Sequence, residues 1–312
     1  MASLDVSIVV PLLDEEENLR ELTRQVREAM RDISSWELIL VDDGSEDRTP
    51  EIARELAEED QRIRALSLAR RYGQSTAMQA GFDHARGGVV VTLDGDLQND
   101  PADIPSLVNE LRQGYDLVVG YRVRRKDRLF VRKIPSWFGN RIIRWITGVE
   151  VRDNGCSLKA YRATLLERMR LYSDMHRFIP AIAAGAAGAR ITEIPVNHRP
   201  RVAGQSKYGI SKVLRVLVDL LAVTMIRSFR DRLMHLFSAL AAWCVLIGST
   251  FVVATFVASG FQPFKAQAMV FPSAALLWFS LATFLILLGL VAEAAISRRP
   301  EDQATPLVRE LG

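Results

Sequence analysis

The stretch Val89-Val-Val-Thr-Leu-Asp94-Gly-Asp96-Leu-Gln98 decides the fold class of this chain. Its first five residues are apolar or β-branched, and a short continuous run of this kind is typical of a strand buried on both faces. The run ends abruptly at two aspartates separated by a glycine, a residue that favours turns. We therefore predict a buried strand followed by a polar turn that carries two carboxylates.

Three further strands and three helices are predicted on the amino-terminal side of this stretch. The strands cover residues 6–11, 36–42 and 65–68, and the helices cover 15–31, about 50–59 and 75–85. Alternating strands and helices, with strands that are apolar throughout, indicate an α/β domain whose parallel sheet is covered on both faces. In such a sheet ligands bind beyond the carboxyl ends of the strands.

Acidic side chains follow three of these strands at that edge of the sheet. Glu15 follows the first strand, Asp42 ends the second, and Asp94 and Asp96 follow the fourth. Helix caps and turns explain any one of these acids. They do not explain the cluster, because neighbouring carboxylates repel one another unless a cation lies between them. A hard divalent ion, Mg²⁺ or Mn²⁺, that also binds the phosphates of a nucleoside diphosphate is the expected occupant.

The carboxyl-terminal third of the chain has a different composition. Although mean hydropathy over the whole chain is only +0.07, residues 233–296 contain three ionisable side chains, His235, Lys265 and Glu293. Two apolar runs, 236–260 and 268–296, are each long enough to cross a hydrocarbon layer about 30 Å thick. A buried helical pair of a soluble protein is the less favoured alternative, because the runs lack a polar stripe.

The arginines that flank these runs predict their orientation. They precede the first run and follow the second, whereas the connection between the runs carries one lysine. The positive-inside rule then puts both ends in the cytoplasm, at the inner (plasma) membrane. The predicted organisation is a catalytic domain over 1–208, juxtamembrane amphipathic helices over 209–232, a two-helix transmembrane hairpin over 233–297 and a cytoplasmic tail over 298–312.

Charge and cysteine content exclude several other classes. The net charge of +3 gives no reason to expect nucleic acid as a partner. Two cysteines, one of them in an apolar run, do not predict a disulfide framework. Residues 1–13 lack the basic start of a cleavable signal peptide.

Four motifs, in this order, resemble family 2 glycosyltransferases. They are Pro11-Leu-Leu-Asp-Glu15, Asp42-Asp-Gly-Ser45, Asp94-Gly-Asp96-Leu-Gln98 and Arg201-x5-Lys207. The chain is most similar to the polyprenyl-phosphate subgroup, which includes dolichyl-phosphate mannose synthase and the bacterial undecaprenyl-phosphate glucosyl- and aminoarabinosyl-transferases. The resemblance implies a GT-A fold and the inverting, metal-dependent transfer of one sugar from a nucleotide sugar to a lipid phosphate.

The same resemblance assigns roles to individual residues. It implies that the donor is bound by Pro11, Glu15, Asp42, Asp94, Arg201 and Lys207. It implies that Mg²⁺ or Mn²⁺ is bound by Asp94, Asp96 and Gln98. It implies that the acceptor phosphate is bound by Arg122, Arg132 and Ser136, and that the catalytic contributions come from Asp96, Arg122 and Arg132. No general base is assigned, because a phosphate monoester is already anionic at pH 7.

Several alternatives stay open at this stage. UDP-glucose is the first donor to consider, and GDP-mannose or another UDP-sugar is possible. A processive polysaccharide synthase would carry more membrane helices and a Gln-x-x-Arg-Trp motif, whereas this chain has Arg141-Ile-Ile-Arg144-Trp145. An inactive membrane scaffold would have less reason to keep the acidic and basic motifs. The oligomeric state is undetermined, with a homotetramer as one option, and His176 and His198 are interpreted as structural or phosphate-adjacent.

Overall fold

The structure is a computed structural model that describes residues 4–33, 35–122, 151–169, 171, 175–199, 233–259, 270–297 and 308–311. The chain divides into two compact units. The first comprises Met1–Val223 together with Thr305–Gly312, and the second comprises Thr224–Ala304.

The first unit alternates strands and helices along most of its length. Its strands are β1 (Val6–Leu12), β2 (Trp36–Asp42), β3 (Ile63–Leu68), β4 (Val89–Thr92), β5 (Leu117–Arg122), β6 (Lys159–Arg162), β7 (Ile191–Val196) and β8 (Val308–Glu310). Its helices are α1 (Leu19–Ala29), α2 (Thr49–Glu59), α3 (Gln74–His84), α4 (Ile104–Arg112), α5 (Ala163–Leu166) and α6 (Ile179–Ala187). The described part of this unit also contains two 3₁₀ turns, Pro101–Asp103 and Met175–Phe178.

The eight strands form one sheet in the order β7-β5-β6-β4-β1-β2-β3-β8. Strands β1, β2, β3 and β4 are mutually parallel, as the apolar runs predict. Two strands that were not predicted from the sequence run against their neighbours: β6 is antiparallel to both β4 and β5, and β8 is antiparallel to β3. The sheet is therefore mixed, and the residues that precede β6 lie at the same edge as those that follow β4.

Burial of both faces explains why the central strands are apolar throughout. All seven residues of β2 are buried, and so are six of the seven in β1. Helix α1 buries Leu19, Leu22 and Val26, which share one face at helical spacing, against one side of the sheet. Helix α3 covers the other side. A Cβ added at Gly81 would lie 2.2 Å from a Val9 methyl carbon, so glycine allows the helix to approach the strand closely.

The second unit is a pair of apolar helices, α7 (Leu233–Ser259) and α8 (Val270–Ser297). They pack antiparallel, because Gly248 of α7 contacts Phe279 of α8 and Gly289 of α8 contacts Phe237 of α7. Spans of 24 and 25 residues in these helices are long and apolar enough to cross a membrane, and most of each span is exposed. Exposed apolar surface of this extent is uncommon on helices from the core of a soluble protein, so the two predicted candidate spans are confirmed.

Candidate functional site

The polar residues predicted at the strand ends lie at one edge of the sheet, beside an open pocket of about 270 Å³. The pocket belongs to the first unit, and its lining includes three of the predicted site residues, Pro11, Asp94 and Arg122. These come from the ends of β1, β4 and β5, which are brought together because those strands point in the same direction. The carboxyl edge of the sheet is therefore the candidate active site.

The turn after β4 has a backbone that only certain residues tolerate. A Cβ at Gly95 would lie 2.8 Å from the Leu12 Cδ2 atom and 3.2 Å from the Glu15 Cγ atom, so glycine allows the turn to pack closely against these side chains. Leu97 has φ +57°, a left-handed conformation that is costly for a residue with a branched side chain. Burial of the Leu97 side chain offsets part of this cost. Strain of this kind is concentrated at functional sites, where it directs neighbouring side chains.

The two aspartates of this turn have different surroundings. The Asp94 carboxylate accepts hydrogen bonds from Gln74 Nε2 at 2.8 Å and from the Ser157 side chain. Burial raises the pKa of Asp94, and the nearby charge of Asp96 raises it further. Asp96 is buried, and its Oδ1 accepts a hydrogen bond from the backbone N–H of Gln98 at 3.1 Å. Two carboxylates this close favour a bound cation.

Asp94, Asp96 and Gln98 suit Mg²⁺ or Mn²⁺ as a ligand set. Each carries a carboxylate or amide oxygen, the hard type of ligand that these ions prefer, and a divalent charge would relieve the repulsion between the two aspartates. A set of two carboxylates and one amide leaves positions for other oxygens, and Mg²⁺ sites commonly fill such positions with substrate phosphates and water.

Two further predicted donor residues, Asp42 and Glu15, lie after β2 and β1 at the same edge of the sheet. Asp42, at the end of β2, accepts hydrogen bonds from the backbone N–H of Ser45 at 3.1 Å and from Ser67 Oγ at 3.2 Å. The backbone N–H of Glu15 donates to Thr49 Oγ1 at 2.8 Å, and its carboxylate accepts from Asn18. These contacts fix both acidic loops beside the turn that carries Asp94.

Arg122 is anchored on the opposite side of the pocket. Its Nε and Nη2 donate to the two carboxylate oxygens of Asp153, at 2.6 and 2.9 Å. Two parallel bonds of this kind orient the guanidinium plane as well as holding it. Lys159 is buried in the same wall and donates to the carbonyl of Cys156, and burial lowers its pKa. Its charge partly compensates that of Asp94.

Several residues of the pocket were not assigned from the sequence. Gln74 begins α3 and follows the carboxyl end of β3. Because ligands bind beyond the carboxyl ends of parallel strands, its position in the sequence could have identified it. Ser157 and Lys159 could not be found in this way, because they lie at the amino end of β6, which runs against its neighbours. His176, which the sequence suggested as structural or phosphate-adjacent, lines the pocket from the 3₁₀ turn Met175–Phe178.

The segment after β7 lies directly beside the turn at Gln98. The backbone N–H of Arg199 donates to the Gln98 carbonyl at 2.7 Å, and the Arg199 side chain pairs with Asp100. His198 forms an antiparallel bridge with Asn99. Arg132, Ser136, Arg201 and Lys207, which the sequence also assigned to the site, lie outside the described residues.

Comparison with known proteins identifies the family. The model of glycosyl transferase family 2 matches residues 7–170, which is more than half of the chain. The chain belongs to this family. The match includes β1 to β6, and thus the strand ends and the turn that form the pocket.

Two curated family 2 relatives are similar over most of the chain. The dodecaprenyl-phosphate galacturonate synthase of Rhizobium johnstonii is 50% identical over 242 residues, which cover 76% of this chain and 72% of that protein. The undecaprenyl-phosphate 4-deoxy-4-formamido-L-arabinose transferase of Edwardsiella ictaluri is 40% identical over 250 residues, which cover 80% and 75% respectively. The predicted membership of the polyprenyl-phosphate subgroup is therefore confirmed, and the protein is a glycosyltransferase.

A solved structure confirms the predicted GT-A architecture. Glucosyl-3-phosphoglycerate synthase from Mycobacterium tuberculosis, in complex with Mn²⁺, UDP and phosphoglyceric acid, superposes with a TM-score of 0.54. The alignment covers 72% of this family 2 chain and 79% of that structure, at 20% identity. At this identity the likeness establishes the fold of the catalytic unit.

Proposed function

We propose that the protein transfers a single sugar from a nucleotide sugar to a polyprenyl phosphate, forming a lipid-linked monosaccharide. The observation that carries this proposal is the pocket itself, which has Asp94 on one side and the anchored Arg122 on the other. An acidic turn that suits a metal and a diphosphate thus faces a cation that suits a second phosphate. The names of both relatives specify a polyprenyl-phosphate product or acceptor, which agrees with this arrangement.

On the donor side, we assign Pro11, Glu15 and Asp42 to the nucleoside and Asp94 to the diphosphate end. Arg201 and Lys207 are assigned to a loop over the diphosphate. Support for the loop comes from Arg199, which is held next to Gln98, so the chain enters the loop from beside the acidic turn. Two cations at this place would stabilise the negative charge that develops on the leaving diphosphate.

The proposed metal ligands are Asp94, Asp96 and Gln98, and the ion is Mg²⁺ or Mn²⁺. A bound divalent ion would supply charge stabilisation for the leaving diphosphate. The chain's own contribution is to hold the ligand oxygens in place, through the Gly95 close approach, the left-handed Leu97 and the bond from Gln98 to Asp96.

On the acceptor side, we assign Arg122, Arg132 and Ser136 to the lipid phosphate. Arg122 supports this assignment, since Asp153 orients its guanidinium beside the pocket. The phosphate oxygen is anionic at neutral pH, so attack on the anomeric carbon needs alignment rather than proton removal. The inversion expected for this family follows if phosphate and diphosphate stand on opposite faces of the sugar.

The identity of the sugar requires a panel of donors. UDP-glucose was the first expectation, but the relatives are named for galacturonate and for 4-deoxy-4-formamido-L-arabinose. The relative named for galacturonate shares the higher identity, so UDP-galacturonate becomes the first donor to test. The UDP derivative of 4-deoxy-4-formamido-L-arabinose, UDP-glucose and GDP-mannose complete the panel.

We further propose a multi-pass protein of the inner membrane with its catalytic domain, 1–208, in the cytoplasm. Strand β8, which follows the second apolar helix in the chain, belongs to the catalytic sheet. A helical hairpin crosses the membrane twice and returns the chain to the side on which it started. It therefore allows β8 to pair with a sheet whose other strands precede the hairpin in the chain. A homotetramer is the oligomer to test first.

Two competing functions are less well supported. A processive polysaccharide synthase would have to move a polymer across the membrane and would carry more membrane helices. The described part of the chain contains two candidate spans, which counts against this function. An inactive scaffold does not account for a pocket that keeps an acidic turn and an oriented arginine.

The test uses the full chain in vesicles that contain undecaprenyl phosphate, with Mg²⁺ or Mn²⁺ and the donor panel. We expect transfer that stops when EDTA removes the metal, and we expect Asp96→Asn to reduce transfer to the EDTA level. Asp32→Asn, at an exposed residue after α1, is the matched control and should retain full activity. Full transfer by Asp96→Asn would refute the metal assignment, and no transfer from any donor would refute the proposed function.

A further inference from the structure

Asp94 is held by two uncharged side chains that come from separate segments of the chain. Gln74, in the first turn of α3, donates from Nε2 to Asp94 Oδ1 at 2.8 Å. Ser157, which lies two residues before β6, hydrogen-bonds the same carboxylate, and its Oγ accepts from Asn99 Nδ2 at 2.7 Å. An ionised carboxylate has only acceptor atoms, so Gln74 and Ser157 both act as donors to it.

Asp153, which anchors Arg122, is held in a different way. It pairs with the guanidinium through two hydrogen bonds, so its negative charge is compensated within the chain. Among the residues that the structure describes, Asp94 forms no ion pair, and the charges of Lys159 and Arg122 act on it only from a distance. An amide or a hydroxyl orients a carboxylate without cancelling its charge, so Asp94 stays attractive to a cation.

The loop before α3 determines where the Gln74 side chain begins. Gly73 has φ +104°, a backbone conformation that glycine adopts without strain. Its N–H donates to Asp43 Oδ2 at 2.8 Å, and the N–H of Tyr72 donates to Asp43 Oδ1 at 2.7 Å. Because Asp43 is buried at the end of β2, it ties the start of α3 to the sheet. Gln74 therefore reaches Asp94 from a fixed position.

We propose that Gln74 is a positioning residue for the divalent metal ion. Its amide fixes the orientation of the Asp94 carboxylate and leaves the negative charge of that carboxylate for the ion. The inference rests on the proposed function, in which Asp94 is a metal ligand. It adds a residue of α3 to a metal site whose proposed ligands all lie in the turn after β4.

The test measures Mn²⁺ binding to the detergent-solubilised full chain in the presence of UDP, from the free Mn²⁺ signal in electron paramagnetic resonance. Gln74→Met keeps a side chain of similar length and removes the donor. We expect it to raise the dissociation constant of Mn²⁺ by about 10- to 100-fold, the usual effect of losing a hydrogen-bond partner of a ligating residue. Ser157→Ala removes the second donor and should weaken binding in the same direction.

Two further variants make the result specific. Gln113→Met is the matched control, because Gln113 Nε2 also donates to a carboxylate, that of Glu110 at 3.0 Å, but at the exposed end of α4. It should leave Mn²⁺ binding unchanged. Gln74→Lys replaces a neutral donor with a charged one. It should bind Mn²⁺ more weakly than Gln74→Met, because an ammonium group beside Asp94 would compensate the carboxylate and repel the ion.

A transfer assay separates positioning from a structural role. In vesicles that contain undecaprenyl phosphate, Gln74→Met should need more Mn²⁺ than the unsubstituted chain to reach half of its maximal rate. Its kcat at saturating Mn²⁺ should return to nearly that of the unsubstituted chain. A structural role would instead lower kcat at every concentration of the metal.

Three outcomes would overturn the inference. One is unchanged Mn²⁺ binding in Gln74→Met, and another is an equal loss in Gln113→Met. The third is binding by Gln74→Lys that is at least as tight as that of Gln74→Met, since the neutrality of the donor would then be unimportant. Mn²⁺ binding and sugar transfer by the unsubstituted chain in these cases would leave the proposed function standing.

The behaviour of the unsubstituted chain distinguishes the other failures. If it binds no Mn²⁺, the metal assignment and this inference fail together. If it binds Mn²⁺ in the manner expected but transfers no sugar from any donor, the proposed function fails, and the role of Gln74 at the metal site stands.

Discussion

The ion pair between Arg122 and Asp153 allows a quantitative prediction for Asp153→Asn. The side chains are 16% and 8% exposed, and two charge-assisted hydrogen bonds join them. Asparagine keeps one acceptor but turns an NH₂ group towards the guanidinium, so one of the two bonds is lost. Losing a hydrogen bond to a charged group costs about 1.5–3 kcal/mol. The larger cost of about 3–5 kcal/mol for breaking a fully buried pair does not apply, because Asn retains one bond and Arg122 keeps some contact with water.

If the oriented position of Arg122 becomes less stable by about 2 kcal/mol, the rate or affinity that depends on it changes by about 30-fold. We therefore expect kcat/KM for polyprenyl phosphate, at saturating donor, to fall by about 30-fold in Asp153→Asn. The donor KM should not change. The matched control is Asp116→Asn, because Asp116 also pairs with an arginine, Arg162, but at the opposite end of β5.

The result that would refute this reasoning is an unchanged or higher kcat/KM for the lipid phosphate in Asp153→Asn. An increase would mean that Asp153 competes with the acceptor for Arg122 instead of orienting it. An equal loss in Asp116→Asn would show that the effect comes from general destabilisation of the sheet.

Three further predictions concern the packing around the site. Gly81→Ala should lower the free energy of unfolding by about 1–3 kcal/mol, because the added Cβ would overlap Val9. Gly88→Ala is the control and should leave the free energy of unfolding unchanged, because no atom lies within 4 Å of the Cβ that it would add. Equal thermal unfolding of the two variants would contradict this prediction. Burial raises the pKa of Cys156 to about 11, so iodoacetamide should label it slowly at pH 8 in the folded chain and rapidly in denaturant, as peptide mass spectrometry can measure. Glu310→Gln removes the charge that pairs with Arg64 and should speed hydrogen exchange at the carboxyl-terminal strand by up to about fivefold, the limit for an ion pair with an exposed partner. Unchanged exchange there would show that the pair does not hold β8.

The fold could largely be predicted because its central elements carry strong local signals. A buried strand or helix face requires apolar residues at a fixed spacing, and this spacing can be recognised in the sequence. It predicted the continuous apolar run of β2 and the helical spacing of Leu19, Leu22 and Val26. The candidate spans could be predicted for the same reason. Strand β8 could not, because Val308-Arg-Glu310 is short and mixed, and it becomes a strand only by pairing with β3.

The site was predictable where it follows parallel strands. Asp94 was found because it follows the apolar run of β4 at the carboxyl edge, whereas Arg122, at the end of β5, was implied by the resemblance to family 2 glycosyltransferases. Ser157 reaches the same pocket from the amino end of an antiparallel strand, whose direction no local pattern determines. His176 depends on a tertiary contact with Ser75, one hundred and one positions away in the chain. Residues of this kind require the three-dimensional structure.

The mass of the lipid product tests the central claim most directly. The full chain would be incubated with undecaprenyl phosphate vesicles, a divalent metal and each donor, and the extracted lipid would be analysed by mass spectrometry before and after mild acid. We expect a lipid phosphate that carries one sugar and releases it in mild acid. A lipid that carries a polymer, or sugar released to water with the lipid phosphate unmodified, would contradict it.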